Sequence, residues 1–166
     1  MLDLVSVIIP AYNSERTIHR AINSCLRQTH SRVEVIVIND GSTDDTSEIL
    51  KINFESEDSV VIVNKENQGA GMARNDALDL VKGNYVCFLD SDDCRPEVAL
   101  ERYVEEIERT GADIVLAGYL VRSSKGDQVV YPNFYGDLSV LECYLADGIV
   151  SAPCLLYTSP SPRDRG

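Results

Sequence analysis

Two hydrophobic rhythms alternate along this chain. Leu4 to Pro10 (LVSVIIP) is a short run rich in Val and Ile that stops at a proline, the pattern of a buried strand. Behind it, Ile18, Ala21, Ile22, Cys25 and Leu26 recur at helical spacing within residues 14–28, and Asn13 or Ser14 stands where an N-cap belongs. Val33 to Asn39 reads as a second strand. Thr43 suits the cap of a helix opening at Asp44 and Asp45, whose carboxylates favour a helix N-terminus. Val60 to Val63 is a third strand. Gly69 to Val81 then reads as a helix with Met72, Ala73, Ala77, Leu80 and Val81 inward, ended by Gly83. Tyr85 to Leu89 is a fourth strand.

Pro96 stands at a first-turn position, and the helix after it buries Ala99, Leu100, Tyr103, Val104 and Ile107 until Gly111 stops it. Asp113 to Val121 is expected as a fifth strand, paired with Gln128 to Tyr131 across a Lys125-Gly126-Asp127 turn. Asp137 to Leu145 reads as a last amphipathic helix. Strands alternating with helices predict an α/β protein with a mainly parallel central sheet flanked by helices. Right-handed crossovers then bring the loops after the first, second and fourth strands to one sheet edge, where ligands of such sheets bind.

Composition narrows the function classes. The chain has 166 residues, 44% hydrophobic and 25% charged, which suits one globular domain. Its formal net charge of −12 argues against nucleic acid as a partner. No apolar run reaches the roughly 18 residues of a membrane helix, and an acid near the N-terminus argues against a signal peptide. Five scattered cysteines (Cys25, Cys87, Cys94, Cys143 and Cys154) without a CxxC form neither a disulfide framework nor a zinc site; they read as reduced thiols in a cytosolic protein.

The sequence changes character at Cys154. CLLYTSPSPRD resembles the conceptual translation of a transposon-type sequencing adapter, so residues 154–166 are expected to be a non-native, disordered tail and residues 1–153 the domain proper.

The expected loops are rich in polar groups. Pro10-Ala11-Tyr12-Asn13 follows the first strand, Asp40-Gly41-Ser42-Thr43-Asp44 the second, and Asp90-Ser91-Asp92-Asp93 the fourth. Crowded carboxylates raise one another's pKa unless a cation sits among them, and Asp at i and i+2 can converge on Mg²⁺ or Mn²⁺. An Asp-rich turn held by Asx hydrogen bonds is the other reading. Asp40, at a strand end, could accept from a heterocycle N–H or a ribose hydroxyl, or simply belong to a strand-to-helix turn. Asn67-Gln68-Gly69-Ala70-Gly71 precedes a helix and could approach phosphates closely. It lacks the Lys of a Walker loop and the third glycine of a dinucleotide fingerprint. His19 and His30 read as surface histidines, Cys87 as core, and Cys94 as incidental beside its acidic neighbours.

Together, SVIIPAYN, VIVINDGSTDDT, NKENQGAGMARNDAL and GNYVCFLDSDD, in that order, resemble the inverting family 2 glycosyltransferases of GT-A fold. The resemblance is close from Ser6 to Asp93 and looser to Pro153. It implies a Rossmann-like GT-A sandwich, a nucleotide-diphosphate-sugar donor (UDP-sugar favoured), a Mn²⁺ or Mg²⁺ cofactor and a hydroxyl acceptor in polysaccharide, glycolipid or glycoprotein synthesis. It implies that Pro10, Ala11, Tyr12 and Asn13 flank the base with Glu15 nearby. Asp40 would contact the base, and Asn67, Gly69, Arg74 and Asn75 would lie near the nucleotide. Asp90-Ser91-Asp92 matches the family's Asp-x-Asp motif, with Asp92, and Asp90 beside it, at the metal and Asp93 a less apt substitute. The family's general base lies further along the chain. Asp127, Asp137, Glu142 and Asp147 each read as turn, cap or solvated acid, so the base is expected beyond Pro153. Two other functions remain in view: an inert nucleotide-binding module, and a sugar-1-phosphate nucleotidyltransferase, which would want a basic glycine-rich loop after the first strand. A cytoplasmic location is expected, at the inner membrane face if other regions reach it.

Overall fold

The structure is a computed structural model that describes residues 3–117, 119–123, 126–130 and 155–158. Four parallel strands form its centre: β1 (Val5–Ala11), β2 (Val33–Asp40), β3 (Val60–Lys65) and β4 (Tyr85–Phe88). Helices α1 (Ile18–Leu26), α2 (Thr46–Phe54) and α3 (Ala70–Leu78) connect them, and α4 (Ala99–Thr110) follows β4. After α4 come β5 (Ile114–Leu116), β6 (Tyr119–Ser123), β7 (Gly126–Val130) and β8 (Leu155–Thr158). The main sheet runs β3-β2-β1-β4-β8-β5, with β8 antiparallel to both neighbours, while β6 and β7 pair as a separate hairpin.

The period-two pattern of the strands sorts the core into two layers. Val5, Val7 and Ile9 of β1, with Val35 and Val37 of β2 and Cys87 of β4, pack on α1, α2 and α4. Ile8, Ile36, Ile38 and Val86 face the other way, onto Ala73 and Ala77 of α3. Every residue of β1 is buried, as an inner parallel strand requires. Gly111 closes α4 in the left-handed conformation (φ +67°), its N–H bonded to the Ile107 carbonyl, and all five expected α4 core residues are buried.

Several expectations need correction. α1 begins at Ile18 and α2 at Thr46, so Asn13, Ser14 and Thr43 do not cap them. Their polar groups bond between loops instead. α4 begins at Ala99, and Pro96 lies in the preceding turn, its carbonyl accepting from the Ala99 N–H. On α3 only Ala73 and Ala77 are fully inward. These small residues leave a narrow apolar stripe, and Met72 (45% exposed) and Leu80 (38%) fall outside it. The single strand expected over 113–121 is two, β5 in the main sheet and β6 in the hairpin. Ser123 pairs with Gly126, which takes φ +118°, so Gly126 and Asp127 stand in β7 rather than in the turn.

The disordered tail expected from Cys154 does not hold for residues 155–158. Leu-Leu-Tyr-Thr, in which Tyr and Thr favour strands, pair along β4 on one side and β5 on the other. The helix expected over 137–145, with Asp137, Glu142 and Asp147, and Cys143, Pro153, Cys154 and residues 159–166 lie outside the described residues.

Candidate nucleotide-sugar site

All four parallel strands end at one sheet edge, and the loops leaving it are bonded to one another. Asn13 adopts φ 50°, a left-handed conformation that Asn tolerates. Its N–H donates to Ser42 Oγ (3.0 Å), and its Oδ1 accepts from the Thr43 N–H (2.8 Å) and hydroxyl (3.3 Å). The Ser14 N–H donates to Thr46 Oγ1 at 2.8 Å. Glu15 N–H reaches Asp44 Oδ2 (3.1 Å), and Glu15 Oε2 accepts from the Asp45 N–H (3.2 Å). The loop after β1 is thus bolted to the start of α2. Asp44 also accepts from the Thr46 N–H and hydroxyl. Burial pushes its carboxyl up, but the bonds from Thr46 and Glu15 outweigh that and hold it below the usual carboxylate value.

The second junction joins the loops after β2 and β3. Asp40 is 2% exposed, and its two oxygens accept from the Gln68 N–H (3.0 Å) and the Gly69 N–H (2.7 Å). Gly41 sits at φ +72°, and a Cβ there would lie 2.7 Å from Asn67 N, so glycine is required both by conformation and by contact. Gly69, at φ +89°, then opens α3. Lys65, at the end of β3, donates to Gln68 Oε1 (2.9 Å) and pairs with Asp76 of α3.

The third junction carries the acidic loop after β4. Arg74 of α3 pairs with Asp90 Oδ1 at 2.6 Å. Ser91 and Ser14 share a hydroxyl–hydroxyl bond of 2.7 Å, and Arg20 of α1 donates to the Asp92 carbonyl at 2.9 Å. Among the described residues the Asp92 carboxylate makes no hydrogen bond, and Asp92 is exposed. Burial raises the pKa of Asp93, and Asp92 and Asp90 raise it further against Arg95 and Arg20. The loop therefore holds crowded negative charge.

The expected site residues separate into groups. Tyr12 (52% exposed), Asn13, Glu15, Asn67, Gly69, Arg74, Asp90, Ser91 and Asp92 reach the loop cluster or brace it. Pro10 and Ala11 are buried within β1, so Tyr12 and Asn13 are the exposed residues of that segment. Asn75 is exposed on α3. Residues that tie the loops together and were not foreseen are Arg20, Ser42, Thr43, Asp44, Thr46 and Lys65. Hydroxyls and carboxylates at strand-to-helix turns could have signalled this, but they resemble ordinary caps in sequence. Among the described residues no group of three or more His, Cys, Asp or Glu is arranged as a metal cage.

The sequence profile of glycosyl transferase family 2 matches residues 6–157. The chain belongs to this family. It is 35% identical over 135 residues to glycosyltransferase GlyA of Streptococcus pneumoniae, covering 81% of this chain and 19% of GlyA. It is 47% identical over 94 residues to the UDP-Glc:alpha-D-GlcNAc-diphosphoundecaprenol beta-1,3-glucosyltransferase WfaP of Escherichia coli, covering 55% of this chain and 36% of WfaP. In three dimensions it resembles S. aureus TarS 1–349 in complex with UDP-GlcNAc, with a TM-score of 0.73 and 27% identity over 93% of this chain and 45% of TarS 1–349. The family 2 chain thus has the GT-A fold, and it spans less than half the length of these relatives.

Proposed function

We propose that this chain forms the donor-binding portion of an inverting glycosyltransferase that takes a nucleotide-diphosphate-sugar, UDP-sugar first, and transfers the sugar to a hydroxyl. The observation that carries this reading is the interlocked loop edge, where Asp40, Arg74 and the 90–93 loop are braced while Tyr12 and Asp92 stay exposed. Tyr12 offers an aromatic face to a nucleobase. A carboxylate has about four lone-pair sites, so Asp40, after two backbone bonds, retains capacity for a base N–H.

A divalent cation fits this donor set. Asp92 has a carboxylate without a partner among the described residues, Asp90 keeps one oxygen beyond its bond to Arg74, and hard oxygen donors suit Mn²⁺ or Mg²⁺. Such ions are commonly held by one or two carboxylates plus substrate phosphates, so a complete protein cage is not needed. Bound there, the ion would act as a Lewis acid on the diphosphate leaving group. The chain's own residues do the rest: Arg74 fixes Asp90, Ser14 fixes Ser91, and Arg20 holds the Asp92 backbone, so the loop is organised before the donor arrives. Inversion requires a base to deprotonate the acceptor hydroxyl. We assign that role to sequence beyond Pro153. The buried free thiol of Cys25 accords with a cytoplasmic site of action. No helix among the described residues is long and apolar enough to cross a membrane.

Calorimetric titration of UDP into the full chain, with and without Mn²⁺, tests the reading. Metal-supported binding that Asp92→Asn abolishes is expected. Binding indifferent to metal and to Asp92→Asn, in a folded sample, would remove the assigned metal role. No UDP or GDP binding by folded chain would remove the donor site itself.

A further inference from the structure

A second polar feature lies outside the loops that form the donor site. A cleft of about 300 Å³ runs along α1, lined by His19, Arg20, Asn23 and Ser24 of that helix and Arg27 at its C-cap, together with Arg95 and Glu97 from the segment before α4. Arg20, Asn23, Ser24 and Arg27 recur at three- and four-residue spacing, so one face of α1 forms the wall. Arg20 and Arg27 are seven residues apart, about 10 Å along the helix. Arg20 marks the end beside the acidic loop, where it donates to the Asp92 carbonyl.

The charge of this cleft is opposite to that of the chain. Three guanidiniums line it against one carboxylate, Glu97, whereas the whole chain carries −12. Neither Arg20 nor Arg27 has a carboxylate within 4.0 Å among the described residues. Arg95 is 5% exposed, and it is held by a bond to the Phe88 carbonyl (2.6 Å) and by the Tyr103 ring 5.6 Å away. Its charge is therefore fixed at the cleft floor. Guanidiniums that line one cleft repel one another, and an oxyanion relieves that repulsion. The planar fork of Arg matches phosphate oxygens in pairs. Beyond Glu97, the negative group near the cleft's upper end is Asp93 of the acidic loop, on which Arg20 and Arg95 both act. Arg27 is not among the groups that act on it.

We propose that this cleft is a second oxyanion site, taking a phosphate or diphosphate group between Arg20, Arg27 and Arg95, separate from the donor nucleotide. The proposal does not depend on the donor reading, because, apart from the Arg20 bond to the Asp92 carbonyl, none of the lining residues belongs to the bonds that hold Asp40, Arg74 and Asp90. An oxyanion bound at Arg20 would touch the same side chain that holds the Asp92 backbone, so the two sites share one arginine.

Inorganic pyrophosphate and inorganic phosphate, titrated into the full chain with and without saturating UDP, provide the test. Arg27 is the residue to change, since it is exposed and its guanidinium has no hydrogen bond among the described residues. Pyrophosphate binding that persists under saturating UDP, and weakens about tenfold or more in Arg27→Gln, is expected. Arg27→Lys should recover part of the loss, as a point charge without the fork. Pyrophosphate binding that UDP abolishes and Arg27→Gln leaves unchanged would place the anion in the donor site and overturn the proposal. So would the absence of any pyrophosphate binding by folded chain. UDP binding should be unchanged in Arg27→Gln, so failure of the donor reading and failure of this one give different results.

Discussion

The two ends of the parallel sheet use the same chemistry for different purposes. At the amino end, Glu34 of β2 is buried at 7% exposure, and its Oε1 accepts from the Ser6 hydroxyl (2.5 Å) and the Lys82 N–H (2.8 Å). Ser6 Oγ in turn accepts from the Gly83 N–H (2.8 Å). That knot ties the end of the α3 crossover to the sheet and is closed to solvent. At the carboxyl end, Asp40 likewise accepts two backbone N–H groups, yet beside it Asp92 and Tyr12 stay exposed. A buried carboxylate must be satisfied in either place. What distinguishes a candidate site from a structural knot is the exposed group that the bracing leaves over. At the amino end Ser6, Glu34 and Gly83 are all buried, and the exposed Lys82 takes part only through its backbone N–H.

Breaking each end should therefore give a different signature. The largest effect is expected from Asp92→Asn, which removes a charge that braces nothing. Metal-supported UDP affinity should fall about 100-fold, the loss of roughly 2.7 kcal/mol, while the melting temperature stays within about one degree, checked by calorimetry and thermal denaturation. Gly83→Ala should do the reverse. A Cβ at Gly83 would lie 2.5 Å from Ser6 Oγ and 2.7 Å from the Leu4 carbonyl and Ser6 N, and the latter two are backbone atoms that cannot swing away. Overpacking of this kind costs about 1–3 kcal/mol. Denaturant midpoints should drop accordingly, with UDP affinity of the folded protein unchanged. Asp40→Asn should affect both properties. Its amide NH₂ would face one of two N–H donors, leaving one unpaired at a cost of about 1–3 kcal/mol, and would loosen the Gln68-Gly69 backbone. Stability and nucleotide affinity should fall together. A stability loss without an affinity loss would reassign Asp40 to the kind of role Glu34 has.

The difference between the two ends also explains what could be read from sequence. β1 to β3 were legible because Val- and Ile-rich runs have few alternatives, although β1 runs on through Pro10 to Ala11, and β4 was legible as an apolar, aromatic run between Gly83 and Asp90. The α4 face was legible from its periodicity, and Gly111 from its end. The bracing was not. Asn13, Ser14 and Thr43 are the residue types that cap helices, and nothing local separates a cap from a bond to a neighbouring loop. Asp40 and Glu34 were opaque for the same reason, since burial is decided by crossovers far away in sequence. β8 was hidden further still. Its four residues follow an abrupt change of composition, and their strand partners, Tyr85–Cys87 and Ile114–Leu116, lie many residues upstream. The acidic loop stood out because three carboxylates in four residues are costly unless something compensates them.

The smallest expected effect concerns Asp44, which bridges the first two loops at the carboxyl end. Bonds from Thr46 and Glu15 hold its pKa below the ordinary 3.8, so the folded chain takes up its proton less readily than the unfolded chain. Its contribution to stability is then complete above that ordinary value and is lost as pH falls through the lower folded value. Asp44→Ala should cost about 1 kcal/mol at pH 6, the usual scale for a side-chain oxygen that satisfies the first N–H groups of a helix. As pH falls below 3.8 and through the lower folded value, the difference between the two proteins should shrink, because the native carboxyl is then taking up its proton. Urea midpoints at the two pH values check this. A gap that stays constant with pH would mean that the Thr46 and Glu15 bonds do not depend on the charge of Asp44.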